Sequence, residues 1–101
     1  MGNWKYNLKS GVALRQALAD DNTTAVLDRL KDCFIEINQL CPEYYDTEDL
    51  EEDLFDIDDL LDSLMNYDEY DMTYDEALEN IDGKLSGFYD LCDNLRIWVG
   101  I

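Results

Sequence analysis

The central part of the chain, residues 43–82, carries 18 acidic residues and no basic residue. A segment with so much like charge repels itself, so it folds only if its apolar side chains share one face that can be buried. Within residues 47–65 the apolar positions recur at steps of four and three: Leu50, Leu54, Ile57, Leu61 and Leu64. This spacing predicts an amphipathic α-helix. Its stability depends on burial of that stripe, because Asp is a poor helix former and carboxylates four residues apart repel.

A further helix is predicted at residues 24–41, where apolar residues recur at the same spacing: Leu27, Leu30, Phe34, Ile37 and Cys41. Asn22 or Thr23 is expected to cap its start, and Pro42 cannot continue it. Residues 11–19 form a shorter helical patch.

The last predicted helix begins at a capping box formed by Thr73 and Glu76 and ends near residue 95. Gly83 and Gly87 lie inside it, and each costs up to about 1 kcal/mol relative to Ala. Because the two glycines are four residues apart, they share one face of the helix. We expect a neighbouring backbone to approach that face.

The remaining segments connect or flank these helices. Residues 66–72 predict a polar, aromatic loop, and the alternating pattern of residues 4–8 fits either an extended arm or a loose first turn. The ending from Arg96 onward is apolar and is expected to pack against the rest. These segments predict an all-α fold: a small helical bundle of three to four helices, with room for a short extended N-terminal arm, in one acidic domain over residues 1–101.

Cysteine usage and hydropathy indicate the compartment. No apolar run is long enough to span a bilayer, and the N-terminal region lacks the apolar stretch of a signal peptide. Cys33, Cys41 and Cys92 are an odd number without C-x-x-C spacing, which favours reduced cysteines packed in the core. The sequence therefore predicts a cytoplasmic protein without membrane association.

Several kinds of chemistry are excluded or disfavoured by composition. The chain has no histidine and no Gly-rich phosphate loop, so Ser–His and Cys–His nucleophiles are ruled out and an enzyme is not expected. A calcium loop starting at Asp68 would place Tyr70, Met72 and Thr73 where ligands and a glycine are required. No catalytic residue, metal site or cofactor is predicted.

Charge distribution gives the main functional indication. The net charge is −18, and the acidic and basic residues outside residues 43–82, 7 of each, cancel. One-sided acidity indicates a binding face rather than a uniform aid to solubility. The predicted partner-binding residues cover the outer half of the 47–65 helix and the following loop: Glu48, Glu51, Glu52, Phe55, Asp58, Asp59, Asp62, Asp68, Glu69, Tyr70 and Asp71.

Aromatic residues give that face two interpretations. Phe55 falls on the acidic side of its helix, where it either packs under the N-terminal arm or the Trp98 tail, or is an exposed anchor within a charged rim. Nearby tyrosines either contribute to an interface or cap the bundle: Tyr44, Tyr45, Tyr67, Tyr70 and Tyr74.

The Tyr/Asp-rich middle and the ending Phe-Tyr-Asp-Leu-Cys-Asp-Asn-Leu-Arg-Ile-Trp at 88–98 resemble small acidic orphan proteins of bacteriophages and mobile elements. Such proteins include DNA mimics that block restriction or CRISPR nucleases. The resemblance implies an anti-CRISPR or anti-restriction inhibitor that acts in the host cytoplasm on a basic nucleic-acid-binding protein, either a nuclease or another defence protein.

The scattered basic residues predict no direct binding to nucleic acid. Two alternatives stay open. One is a structural or adaptor module, for instance a helical homodimer, whose acidic face is only solvated surface. The other is an antitoxin-like partner of one basic protein.

Overall fold

The structure, a computed structural model, describes residues 4–99. Its helices are α1 (Gly11–Ala19), α2 (Thr23–Leu40), α3 (Thr47–Met65) and α4 (Tyr74–Leu95). Two short strands, β1 (Tyr6–Asn7) and β2 (Ile97–Trp98), flank the helices, and a 3₁₀ turn (Tyr67–Tyr70) joins α3 to α4. The predicted all-α bundle is confirmed.

Each helix packs against the next helix along the chain, so α2 and α3 lie between neighbours. The core contains fully buried residues from several elements, among them Leu14, Leu27, Leu30, Ile37 and Ile57. At its centre the Phe34 ring lies 5.4 Å from Phe88, edge to face, and 5.9 Å from Tyr45. Such aromatic pairs stabilise a core beyond the area they bury.

The cysteines are free and buried, as predicted. Burial raises the pKa of Cys33 to about 12 and that of Cys92 to about 12, because the apolar surroundings disfavour the thiolate. These thiols are therefore protonated at neutral pH and pack as small apolar side chains.

The chain ends meet in a parallel strand pair, in which Tyr6 lies opposite Ile97 and Asn7 opposite Trp98. The N-terminal segment is therefore an extended arm and not a loose turn. Ile97 is buried, which confirms that the apolar ending packs; Gly100 and Ile101 lie outside the described residues.

The expected role of the two α4 glycines is wrong. A Cβ added at Gly83 or Gly87 would meet no atom within 4 Å, so no backbone approaches there. The close approach occurs instead at Gly11, where a Cβ would lie 2.9 Å from Val99 Cγ1. A methyl group at that position would displace Val99, the residue that follows β2, from the start of α1.

Helix boundaries follow local capping chemistry. The Asn22 side chain accepts a hydrogen bond from the Ala25 amide, and Thr73 and Glu76 form the predicted capping box. The 66–72 segment, predicted as a loop, contains the 3₁₀ turn, which ends at Asp71 in the left-handed conformation. Within the described residues, no helix combines the length and hydropathy that crossing a bilayer requires.

Candidate protein-binding surface

Helix α3 carries most of the predicted binding residues, and its start is well adapted to acidic side chains. Asp46 caps it by accepting a hydrogen bond of 2.9 Å from the Asp49 amide. Glu48 and Asp49 lie in the first turn, where carboxylates interact favourably with the helix dipole. Ile57 and Leu64 are buried against the bundle, which turns the opposite side of the helix outward.

The outward side of α3 is an acidic surface with an aromatic residue at its middle. Glu48, Glu51, Glu52 and Asp59 are exposed, and the Phe55 side chain among them is 72% exposed. Phe55 therefore packs under neither the N-terminal arm nor Trp98. We call Glu48, Glu51, Glu52, Phe55 and Asp59 the outer face of α3.

The 3₁₀ turn extends this surface at the C-terminal end of α3. The Tyr70 hydroxyl donates to Asp62 Oδ2, and Asn66 Nδ2 donates to Asp62 Oδ1 at 3.0 Å. The hydrogen bond to Asp62 raises the pKa of Tyr70 to about 12. These contacts bring the exposed carboxylates of Asp68, Glu69 and Asp71 to the same end of the molecule as Asp62.

Two lysines from neighbouring helices flank the outer face, a feature that the sequence did not predict. Lys31 Nζ of α2 lies 2.6 Å from Asp58 Oδ1. Lys84 Nζ of α4 lies 2.5 Å from Asp53 Oδ1 and 3.1 Å from Asp56 Oδ2. Burial alone would lower the pKa of Lys84, but its hydrogen bonds to the two carboxylates outweigh this and raise it.

The predicted binding residues of α3 fall into two groups, those whose carboxylate has a partner within residues 4–99 and those whose carboxylate has none. Asp58 is paired with Lys31, and Asp62 is held by Tyr70 and Asn66. Within the described residues, the carboxylates of Glu48, Glu51 and Glu52 make no ion pair or side-chain hydrogen bond. Much of the charge of α3 that no lysine pairs with therefore lies on the outer face, with Asp49 and Asp62 as further carboxylates of the helix that no lysine of residues 4–99 pairs with.

Of the tyrosines of residues 43–82, one is buried and the others are exposed. Tyr45 is buried, stacks on Phe34 and donates a hydrogen bond of 2.6 Å to Asp53, so it belongs to the core. Tyr44 is 75% exposed. Tyr67 and Tyr74 contact each other edge to face at 5.8 Å and are partly exposed, which covers the joint between α3 and α4.

The outer face of α3 thus combines exposed carboxylates with one exposed phenylalanine, Phe55. Among residues 4–99, no group of three or more His, Cys, Asp or Glu side chains is arranged to hold a metal ion. Comparison with protein-family models, curated proteins and solved structures finds no match for the chain.

Proposed function

We propose that this protein is a non-enzymatic inhibitor that binds the basic nucleic-acid channel of a nuclease or defence protein through the outer face of α3. The observation that carries the proposal is Phe55, a large apolar side chain that is 72% exposed at the middle of an acidic helix face. The arrangement resembles a binding hot spot, in which an aromatic anchor is surrounded by a polar rim.

The dimensions of α3 support mimicry of a nucleic-acid backbone. A helix of 19 residues is roughly 28 Å long, the length of about eight base-pair steps at 3.4 Å per step. Carboxylates on one face of a helix lie about 5–6 Å apart, so they approximate a row of phosphates coarsely. Such a row complements a channel that evolved to bind phosphates and steers association over long distances.

The unpaired carboxylates support the same proposal. Lys31 and Lys84 neutralise charge on the two flanks of α3, while Glu51 and Glu52 keep theirs. Uncompensated charge opposes folding by self-repulsion, so its retention on one exposed face favours a role in binding.

A second candidate, an adaptor or homodimer, is favoured by a different observation. The Trp4 and Trp98 rings lie 5.4 Å apart and are each 38% exposed, next to Tyr6 at 37%. This aromatic patch lies on the strand pair, outside residues 43–82. An adaptor would bind through such apolar surface and would tolerate salt.

Capture from a bacterial lysate separates the two candidates. The immobilised protein should retain a basic nucleic-acid-binding protein at low salt and release it when duplex DNA or about 1 M NaCl is added, since the Debye length then falls to about 3 Å. The variant Glu51→Lys/Glu52→Lys should lose the captured protein, and the matched reversal Asp28→Lys/Asp90→Lys, outside residues 43–82, should keep it. Capture that resists both salt and DNA would support the adaptor instead.

A further inference from the structure

A groove lies beside the outer face of α3, between α3 and α4. Its volume is about 470 Å³, and its walls include Tyr44, Asp49 and Glu52 on one side and Gly83 and Gly87 on the other. Glu52 belongs both to the groove and to the outer face. The groove therefore continues the surface proposed to bind the partner.

The two glycines keep this groove open at a cost to the helix. Gly83 and Gly87 are exposed positions within a helix of 22 residues, where alanine would be more favourable. A Cβ at either position would meet nothing within 4 Å, so packing does not require glycine. The feature that alanine would change is the width of the groove.

The chemistry of the walls selects a long cationic side chain. Within residues 4–99, Asp49 and Glu52 have no ion-pair partner, and they lie one helical turn apart on α3. The glycine backbone and part-buried Leu91 provide apolar surface next to these carboxylates. Arginine and lysine combine an apolar stem with a charged head, which suits such mixed walls.

The protein's own Lys84 shows how a cation fits at this site. Its ammonium lies 5.5 Å from the centre of the Phe34 ring and pairs with Asp53 and Asp56, two other carboxylates that line the groove. Lys84 pairs with neither Asp49 nor Glu52, so these two carboxylates are left for a second cation. A planar guanidinium can bond both carboxylates through its fixed fork of N–H donors and lie flat on the exposed Tyr44 ring, whereas an ammonium acts as a point charge without a plane to stack.

We propose that this groove receives one arginine side chain of the basic partner, with its stem along Gly83 and Gly87 and its guanidinium between Asp49 and Glu52. The inference rests on the proposed function and adds a specific subsite to it. It assigns to the two glycines a role in recognition.

The test uses the ¹⁵N-labelled full chain at low salt and three acetylated, amidated pentapeptides, Gly-Gly-X-Gly-Gly, with X as arginine, lysine or citrulline. Amide shifts should be largest at Gly83, Lys84 and Gly87. The arginine peptide should bind at least roughly fivefold more tightly than the uncharged citrulline peptide, with lysine between them.

Glycine replacement gives the decisive comparison. Gly83→Ala and Gly87→Ala should each raise the midpoint of thermal unfolding by about 2–8 °C, while the double variant weakens arginine-peptide binding at least roughly fivefold. Ser86→Ala, at an exposed position of the same helix outside the groove, should leave peptide binding unchanged.

Two results would overturn the groove assignment. One is equal binding of the arginine peptide by the double glycine variant and the unmodified protein. The other is a set of shifts confined to the outer face around Glu51 and Phe55, which would still support the proposed binding surface. If the arginine peptide binds the groove as expected but no basic protein is captured from the lysate, the proposed function is wrong and the groove assignment stands.

Discussion

Phe55 is exposed to solvent although burial of a phenylalanine contributes about 1.5–3 kcal/mol. The heptad spacing of α3 places it away from the core, and neither the N-terminal arm nor Trp98 covers it. Its contribution to folding is therefore small, and a contribution to binding can be measured separately.

Replacement of Phe55 by Ala should change the free energy of unfolding by less than about 0.5 kcal/mol, because little packing is lost. Dissociation of the captured partner should become about five- to thirty-fold faster, corresponding to about 1–2 kcal/mol. Surface plasmon resonance measures both rate constants. Met65→Ala, which truncates a side chain that is 70% exposed at the end of the same helix, is the control. If Phe55→Ala and Met65→Ala changed the dissociation rate equally, Phe55 would not be an anchor for the partner.

Glu36 has the opposite role, since it stabilises the fold from a position outside the acidic segment. Its carboxylate accepts hydrogen bonds from the Lys9 amide (2.9 Å), the Ser10 amide (2.8 Å) and the Ser10 hydroxyl (2.5 Å). The side chain of Ser10, at the N-cap position of α1, makes no capping bond; Glu36 of α2 instead binds the backbone amides of Lys9 and Ser10 just before the helix. Burial alone would raise the pKa of Glu36, but these hydrogen bonds outweigh it and lower the pKa.

The substitution Glu36→Gln should lower the free energy of unfolding by about 1–2 kcal/mol at pH 7, because hydrogen bonds to a charged acceptor are lost. A lowered pKa means that this contribution is present above the pKa of the unfolded chain and disappears as pH falls through the pKa of the folded state. Urea unfolding of the unmodified protein and of the Glu36→Gln variant, at pH 7 and near pH 3, measures the contribution of the Glu36 charge to stability. A difference that stays constant over this range would show that the charge of Glu36 is not involved.

Helix α3 begins at a capping residue, Asp46, and the acidic residues of its first turn interact favourably with the helix dipole. Lysines of the neighbouring helices neutralise its charge only at the two flanks. Charge reversal at Asp58 would break its ion pair with Lys31, and reversal at Asp62 would break two hydrogen bonds. Glu51 and Glu52 have no such contacts within residues 4–99 and are the better positions for testing function.

The double variant Glu51→Lys/Glu52→Lys should unfold at the same temperature as the unmodified protein or higher, because reversal relieves repulsion along the helix. Its association with the partner should be slower and less dependent on salt, since long-range attraction is reduced. Stopped-flow or plasmon-resonance association rates at several salt concentrations provide the measurement. With Asp28→Lys/Asp90→Lys as the charge-matched control, equal association rates for both variants would indicate that the outer face is only solvated surface.

For the molecule as a whole, a net charge of −18 remains after all 7 basic residues, Lys31 and Lys84 among them, have been counted. Repulsion among the remaining carboxylates acts against the compact state, and salt screens it. The midpoint of thermal unfolding at pH 7 should therefore rise between about 0.01 M and 0.5 M NaCl. The increase should be smaller for Glu51→Lys/Glu52→Lys; a midpoint that falls with salt would show that favourable ion pairs outweigh the repulsion.

The same charge predicts that the protein itself does not bind DNA or RNA, because the acidic surface repels phosphate. Gel shifts with duplex and single-stranded DNA and with RNA at low salt should show free nucleic acid at every protein concentration. A clear shift would locate function on the N-terminal half, where Lys5, Lys9 and Arg15 lie.

Local sequence patterns determined the helices and the position of the acidic surface. The four-and-three spacing of Leu50 to Leu64 predicted the bounds of α3, and Thr73 with Glu76 predicted the start of α4. These features depend on side chains within one or two helical turns, so they can be read along the chain. The excess of charge in residues 43–82 is likewise a property of the sequence alone.

Only the tertiary structure decided which carboxylates stay unpaired and what surrounds the glycines. Lys31 and Asp58 are 27 residues apart, and Lys84 and Asp53 are 31 apart, so packing of the helices creates their ion pairs. The spacing of Gly83 and Gly87 predicted a shared face, but whether a backbone or an open groove lies beside it depends on the path of α3. Contacts between distant segments are set by how complete helices pack, which local periodicity does not specify.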